Sequence, residues 1–186
     1  MALNRKFFFD HVRLSLFDGS LDQSQVDNLD QILDVWERDR PGDDDRWLGY
    51  ALGTAHHETD KTFGPIAEYG RGKGRPYGKP DPQTGKTYYG RGLVQLTWRK
   101  NYETCGKLLS IDLVHDPELA LELRYAIPIM FIGMEKGLFT GRTLADYFHG
   151  EVEDWVHARR IINGLDQADK IADFAQTFYA ALSYTT

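Results

Sequence analysis

Apolar residues recur along most of this chain at the spacing of amphipathic α-helices. Trp47, Tyr50, Ala51 and Ala55, for example, fall on one face of a helix. Segments of this kind, separated by glycine-containing breaks, predict helices near 4–16, 24–39, 45–58, 97–110, 117–135, 143–149, 152–162 and 167–183. We therefore predict a mainly α-helical fold, with an irregular region from about 60 to 90 and any short strands confined to 62–92.

Local start signals support several of these helices. Thr97 can cap the helix that follows it, Asp116 precedes Pro117, and Asp166 precedes the last amphipathic run. A helical body with one loop-rich flank suggests two lobes and a cleft between them. Because 41% of the 186 residues are hydrophobic and no Pro/Ser-rich linker divides them, residues 1–186 are expected to form a single domain.

Glu58 ends the predicted helix 45–58, on or beside its apolar face. A carboxyl group against an apolar wall holds its proton more readily than one in water, and a general acid requires this. We therefore expect Glu58 to donate a proton in catalysis. His57, beside it, is expected to orient the end of the helix through a hydrogen bond.

Glu68 follows ten residues later and is surrounded in sequence by Arg71, Lys73, Arg75 and Lys79. Nearby cations favour an ionised carboxylate, which can act as a general base on water. Two carboxyl groups in contrasting environments are what hydrolysis of a glycosidic bond requires. The alternative is an ordinary helix-end carboxylate followed by a solvated loop charge.

The segments around this pair resemble glycoside hydrolase family 19, which contains plant and bacterial chitinases and a branch of phage endolysins. The resemblance rests on three separated segments that occur in the family's order. They are His57-Glu58-Thr59, the run Tyr88-Tyr89-Gly90-Arg91-Gly92 continuing into Gln95-Leu96-Thr97 and Asn101-Tyr102, and Arg159-Arg160-Ile161-Ile162-Asn163-Gly164.

The resemblance implies a lysozyme-like, two-lobed helical domain and an inverting pair, with Glu58 as the acid and Glu68 as the base. It also implies that Thr97 holds the attacking water and that Gln95, Asn101 and Asn163 hydrogen-bond sugar.

Aromatic residues near the pair could stack on sugar rings or could anchor the local structure instead. They are Tyr69, Tyr77, Tyr88, Tyr89 and Trp98. We include Tyr89 among the candidate substrate-binding residues, although core packing explains it equally well. Arg91 is expected to hold the cleft wall by pairing with a carboxylate.

The distribution of charge bears on the substrate. Residues 61–100 hold nine Lys and Arg against two acids, a balance of +7, so the remainder carries −13 to reach the chain total of −6. A basic cleft edge would attract peptidoglycan, which carries peptide carboxylates, whereas chitin is neutral. Solvated loop charges without a partner are the alternative. No nucleic-acid partner is expected, because the chain is acidic overall and has no binding motif for one.

Several other features limit the range of functions. Cys105 is the single cysteine, so no internal disulfide can form, which suits folding in a reducing cytoplasm. His56-His57-Glu58 has no further histidine at zinc-binding spacing, so neither metal nor cofactor is expected. The apolar run after Arg5 and Lys6 ends too early for a signal peptide, and no membrane insertion is expected.

The sequence therefore predicts an inverting glycosidase that hydrolyses β-1,4 bonds of N-acetylated amino-sugar polymers, acting as a peptidoglycan-degrading endolysin. The alternatives are a chitinase acting on chitin and a catalytically inactive glycan-binding module. We expect a monomer that is made in the cytoplasm without a signal peptide. It would reach the cell wall after release by another protein.

Overall fold

Six α-helices form the framework of residues 2–185, the part of the chain that this computed structural model describes. They are α1 (Arg5–Leu16), α2 (Gln23–Asp39), α3 (Asp45–Glu58), α4 (Arg99–Leu109), α5 (Leu123–Glu135) and α6 (Ala168–Ala180). The mainly helical fold class is confirmed. The assignment of residues 1–186 to one domain stays a prediction.

Side chains at the helix starts explain where the first helices begin. Asp22 accepts a hydrogen bond from the backbone N–H of Gln25, whose side chain accepts one from the Asp22 N–H in return. This reciprocal pair satisfies two backbone donors that the first turn of α2 leaves without helical partners. Asp44 caps α3 in a simpler way, by accepting from the N–H of Arg46.

The later helices differ from the sequence prediction. The predicted helix 117–135 is a 3-10 turn at Pro117–Leu121 followed by α5, since the chain is extended at Glu122. The predicted helices 143–149 and 152–162 are 3-10 turns at Leu144–Asp146 and His157–Ile161 beside short strands. Asp166 does not cap α6, which begins after a left-handed Gln167.

Three two-stranded antiparallel sheets complete the fold. They pair β1 (Ala2–Leu3) with β6 (Tyr184–Thr185), β2 (Ile66–Ala67) with β3 (Arg91–Gly92), and β4 (Phe148–His149) with β5 (Val152–Glu153). Only the second sheet lies within 62–92, so confining strands to that range was wrong. Strands of two residues are too short to produce an alternating pattern in sequence.

Buried apolar side chains form two clusters. The larger surrounds α3, and the smaller contains Tyr88, Leu96 and, from α4, Tyr102. Helices α3 and α6 pack so closely that a Cβ on Gly53 would lie 2.6 Å from the backbone nitrogen of Ala175. The α3 helix, which ends at Glu58, is therefore fixed against α6.

No helix within residues 2–185 combines the length and apolar character needed to cross a lipid bilayer.

Candidate active site

A cleft of about 530 Å³ opens at the C-terminal end of α3. Its walls come from α3, the connection between β3 and α4, the turn after α5 and the segment before α6. The lining residues are Glu58, Val94, Gln95, Thr97, Trp98, Asn101, Phe139, Thr140, Arg160, Ile162, Asn163 and Gly164. The structure thus brings together five residues that the sequence assigned to the site: Glu58, Gln95, Thr97, Asn101 and Asn163.

The Glu58 carboxylate is paired with a buried arginine. The Nη1 atom of Arg159 lies 2.8 Å from Oε1 of Glu58, and only 4% of the Arg159 side chain is exposed, against 17% for Glu58. Arg159 is itself held in place, because its Nε donates to the backbone oxygen of Asp166. Glu58 therefore faces the cleft with its charge partner behind it.

This environment differs from the apolar wall expected from sequence. Arg159 forms the hydrogen bond to Glu58 that was expected from His57. Within residues 2–185, no hydrogen bond joins the His57 ring to Glu58. Burial is the largest influence on His57 and lowers the pKa of its ring. Sequence reasoning gave Arg159 no role, although the residue opens the segment that continues into Asn163.

Glu68 directly follows strand β2 and is held by hydrogen bonds. The Tyr77 hydroxyl donates to Oε1 at 3.2 Å, and the backbone N–H of Gly90 donates to Oε2 at 3.2 Å. The backbone N–H of Glu68 donates in turn to the oxygen of Gly90 at 2.7 Å. Within residues 2–185, no cation of the preceding or following loops forms an ion pair with this carboxylate.

Gly90 contacts both Glu68 and Gln95, a residue that lines the cleft. A Cβ at this position would lie 2.6 Å from Oε1 of Gln95, so the absence of a side chain lets Gln95 pack against the backbone. The Gln95 amide nitrogen donates to the backbone oxygen of Ile66 in strand β2. The strand that leads to Glu68 and a cleft-lining amide are thereby joined.

The segment from Gln95 to Trp98 is backbone-strained. Gln95 and Trp98 have positive φ, 55° and 71°, a backbone conformation that residues with a Cβ rarely adopt. The Thr97 hydroxyl donates to the backbone oxygen of Gln95 at 3.0 Å and does not cap α4, contrary to expectation. Trp98 is half-exposed in the cleft, and its ring meets Tyr77 edge-on at 5.3 Å.

Tyr89 does not reach the cleft. It is 6% exposed, and the guanidinium of Arg91 lies 3.6 Å from its ring centre. Arg91, itself 2% exposed, pairs with Glu118 at 2.6 Å, which confirms its expected role of pairing with a carboxylate. Tyr89 lines a separate groove of about 350 Å³, so its placement fits anchoring of the wall and not the proposed contact with sugar.

Cys105 lies in the smaller core, where burial raises the pKa of its thiol to about 12. A thiol that keeps its proton is a poor nucleophile.

Comparison with known sequences identifies the central segment. A sequence model of the family described as "Chitinase class I", glycoside hydrolase family 19, matches residues 54–126. An endochitinase from Carica papaya is 37% identical over 89 residues, covering 40% of this chain and 36% of that protein. The "Inactive chitinase-like protein 1" of Hevea brasiliensis is 54% identical over 35 residues, 19% of this chain and 11% of the relative.

The chain thus spans between about a tenth and about a third of the length of these relatives. Among solved structures, chitinase C from Streptomyces griseus HUT6037 aligns with a TM-score of 0.56, covering 94% of this chain and 91% of that one. Sequence identity over this alignment is 21%, so the similarity establishes a shared fold.

Proposed function

Because residues 54–126 match glycoside hydrolase family 19 and the chain has the fold of a family 19 chitinase, we propose that this protein is an inverting glycosidase. Its substrates would be β-1,4-linked polymers of N-acetylated amino sugars, and we propose peptidoglycan in particular. The observation that carries this proposal is the placement of Glu58 in a cleft whose other lining residues include three amides and a threonine.

In the proposed reaction, Glu58 gives its proton to the glycosidic oxygen as the bond from that oxygen to the anomeric carbon breaks. Glu68 removes a proton from a water molecule, which forms the new bond on the opposite face of the sugar. Thr97 would hold that water. Arg159, 2.8 Å from Glu58, would stabilise the carboxylate that remains after proton transfer.

Hydrogen bonds support the role of Glu68 as the base. Tyr77 and the Gly90 N–H each donate to one carboxylate oxygen, so the carboxylate is held in one orientation, as a base that must meet a bound water requires. Tyr77 also touches Trp98 on the cleft wall, so one side chain contacts both the base and a cleft residue.

The charge of the loop region supports an anionic substrate. Within residues 2–185, Arg91 and Arg99 form ion pairs, whereas the other seven cations of 61–100 form none. They are Lys61, Arg71, Lys73, Arg75, Lys79, Lys86 and Lys100. Cations without local partners raise the potential of this loop region and would attract a polymer that bears carboxylates.

Two alternatives remain as candidates. Chitin is favoured by the names of two relatives, the endochitinase from Carica papaya and chitinase C from Streptomyces griseus. A binding module without activity is favoured by the name of the Hevea brasiliensis relative. The strained, hydrogen-bonded arrangement around Glu68 and Gln95 favours an enzyme, because a pure binding site has no need of a fixed carboxylate.

We further propose that the protein is made in a reducing compartment and is released to the cell wall by another protein. The single buried thiol of Cys105 supports the reducing compartment, since the fold does not depend on disulfides.

The test is hydrolysis by the purified protein of peptidoglycan, followed as loss of turbidity, beside hydrolysis of glycol chitin. We expect faster hydrolysis of peptidoglycan, with new reducing ends appearing as the α-anomer from a β-linked substrate. Glycol chitin hydrolysis alone would support the chitinase. Glycan binding without hydrolysis of either polymer would support the inactive module.

A further inference from the structure

Two ionisable side chains line the catalytic cleft within residues 2–185, those of Glu58 and Arg160. The remaining lining residues are neutral. The charge of Glu58 is offset by Arg159, which lies directly behind it and outside the lining. Among these lining residues, Arg160 therefore carries a positive charge that Glu58 does not offset. A neutral sugar polymer has no anionic group that would pair with it.

Arg160 is held on a rigid segment. It belongs to the 3-10 turn His157–Ile161, and its neighbours Arg159 and Ile161 are both buried. Thr140, in the turn after α5, shares its hydroxyl proton between the backbone oxygens of Arg160 and Ile161. The buried neighbours and this hydrogen bond fix the backbone, while the Arg160 side chain is exposed to the cleft.

No carboxylate of residues 2–185 forms an ion pair with Arg160, which contrasts with its neighbour Arg159. Asn163, three residues later, lies on the same wall. A guanidinium presents several donors in a plane and recognises a carboxylate through two parallel hydrogen bonds. An exposed arginine beside an amide can therefore bind an acidic substituent of a sugar while the amide contacts the sugar itself.

We propose that Arg160 is a carboxylate-binding position of the cleft and selects amino-sugar polymers whose sugars carry acidic substituents. This inference rests on the proposed function. The carboxylate can come from two sources in peptidoglycan. One is the free lactyl ether of a muramic acid residue, and the other is an acidic residue of a peptide attached to that ether.

The experiment compares three short oligosaccharides of equal length. The first is neutral and built from N-acetylglucosamine, the second alternates N-acetylglucosamine with N-acetylmuramic acid bearing free lactyl groups, and the third carries peptides on those groups. The variants are Arg160→Gln and Arg160→Lys. Arg38→Gln is the matched control, because Arg38 is an exposed arginine of α2 that does not line the cleft.

We expect Arg160→Gln to raise KM about tenfold on one or both acidic oligosaccharides while kcat changes little, since a charged hydrogen bond is lost. KM on the neutral oligosaccharide should stay within about twofold. Arg160→Lys should restore part of the affinity because it restores the charge. The acidic substrate that responds identifies the source of the carboxylate. Equal losses on all three substrates, or no loss on either acidic one, would overturn the inference.

A binding measurement separates this inference from the proposed activity. Glu58→Gln and the double variant Glu58→Gln/Arg160→Gln are titrated with the same oligosaccharides by calorimetry. If the wild-type protein hydrolyses none of them, the proposed function fails. The inference then stands if the acidic oligosaccharides bind about tenfold more weakly to the double variant than to Glu58→Gln. Equal binding to the two variants rejects it.

Discussion

The guanidinium of Arg159 pairs at 2.8 Å with the carboxylate of Glu58, from 101 residues farther along the chain. This contact couples the last turn of α3 to the segment that supplies Asn163. It also places the proposed proton donor, Glu58, beside a fixed positive charge. That charge stabilises the product of proton transfer.

Replacing Glu58 by Gln should abolish nearly all hydrolysis while the fold is kept. The amide has nearly the same shape and still accepts from Arg159, but it cannot donate the proton. We expect a loss of about 10²-fold or more in kcat, measured on whichever polymer is hydrolysed. Asp60→Asn, at an exposed carboxylate two residues on, is the control and should be fully active. Near-normal turnover by a folded Glu58→Gln protein would reject the assignment.

Replacing Arg159 by Gln should lower both stability and activity. Removing one partner of a buried pair destabilises by about 2–3 kcal/mol where, as here, the other partner is partly exposed. Urea unfolding measures this, with Arg160→Gln as a neighbouring control that should change little. In a double-mutant cycle with Glu58→Gln the two effects should be non-additive. Strict additivity would mean that the pair does not interact in solution.

Replacing Tyr77 by Phe should slow hydrolysis without unfolding the protein. The hydroxyl donates to Glu68, and losing a hydrogen bond to a charged group costs about 1–2 kcal/mol, or roughly tenfold in kcat. Tyr69→Phe is the matched control, since Tyr69 is 93% exposed and its hydroxyl has no such contact in the described chain. If both variants were equally active, Glu68 would not depend on Tyr77.

Acid should destabilise the protein through His56. Burial among aromatic rings, with smaller effects from Lys61, His57 and Lys170, lowers the pKa of His56 from 6.5 to about 4. The unfolded chain therefore binds the proton first as pH falls. The part of the free energy of unfolding that depends on neutral His56 is fully present above about pH 6.5. It is lost as the pH falls from there to about 4.

For that shift the free energy of unfolding should fall by about 2–3 kcal/mol between about pH 7 and about pH 4.5. His56→Leu should flatten this part of the pH dependence. If the free energy of unfolding fell equally with pH in the variant and the wild type, other groups would be the cause of the acid sensitivity.

Salt should separate the candidate substrates. If Arg71, Lys73, Arg75 and Lys79 recruit an anionic wall polymer, hydrolysis of peptidoglycan should fall as salt rises, because the Debye length shrinks to about 8 Å at physiological ionic strength. Hydrolysis of neutral chitin oligomers should barely respond. Replacing the four residues by Ser should reproduce the loss at low salt. Equal salt sensitivity on both substrates would return chitin to first place.

The sequence predicted those parts of the fold that depend on local periodicity. Helices α1, α2, α3 and α6 begin and end within a few residues of the predicted ranges. Helices α1, α2 and α6 each bury one apolar face, and α3 is buried on all sides from Leu48 to His56. The prediction of helices at 143–149 and 152–162 was wrong. The 3-10 turns and two-residue strands found there depend on contacts with the rest of the chain, which local periodicity does not report.

The same distinction holds for the site. Glu58 and the amides could be selected from local motifs and the family resemblance. The pairing of Glu58 with Arg159 could not, because residues so far apart in sequence meet only through tertiary packing. Tyr77 was considered only as an aromatic ring, and its hydroxyl contact with Glu68 depends on the path of the loop between them.

The close contact between Gly53 and Ala175 has a practical consequence for engineering. Any shorter version of the protein made by cutting the chain back before α6 would lose the surface against which α3 packs. The family sequence match ends at residue 126, yet a fragment limited to that match would expose the face of α3 that carries its glycines. A fragment that keeps this packing must therefore reach at least through Phe178, which packs in the same core.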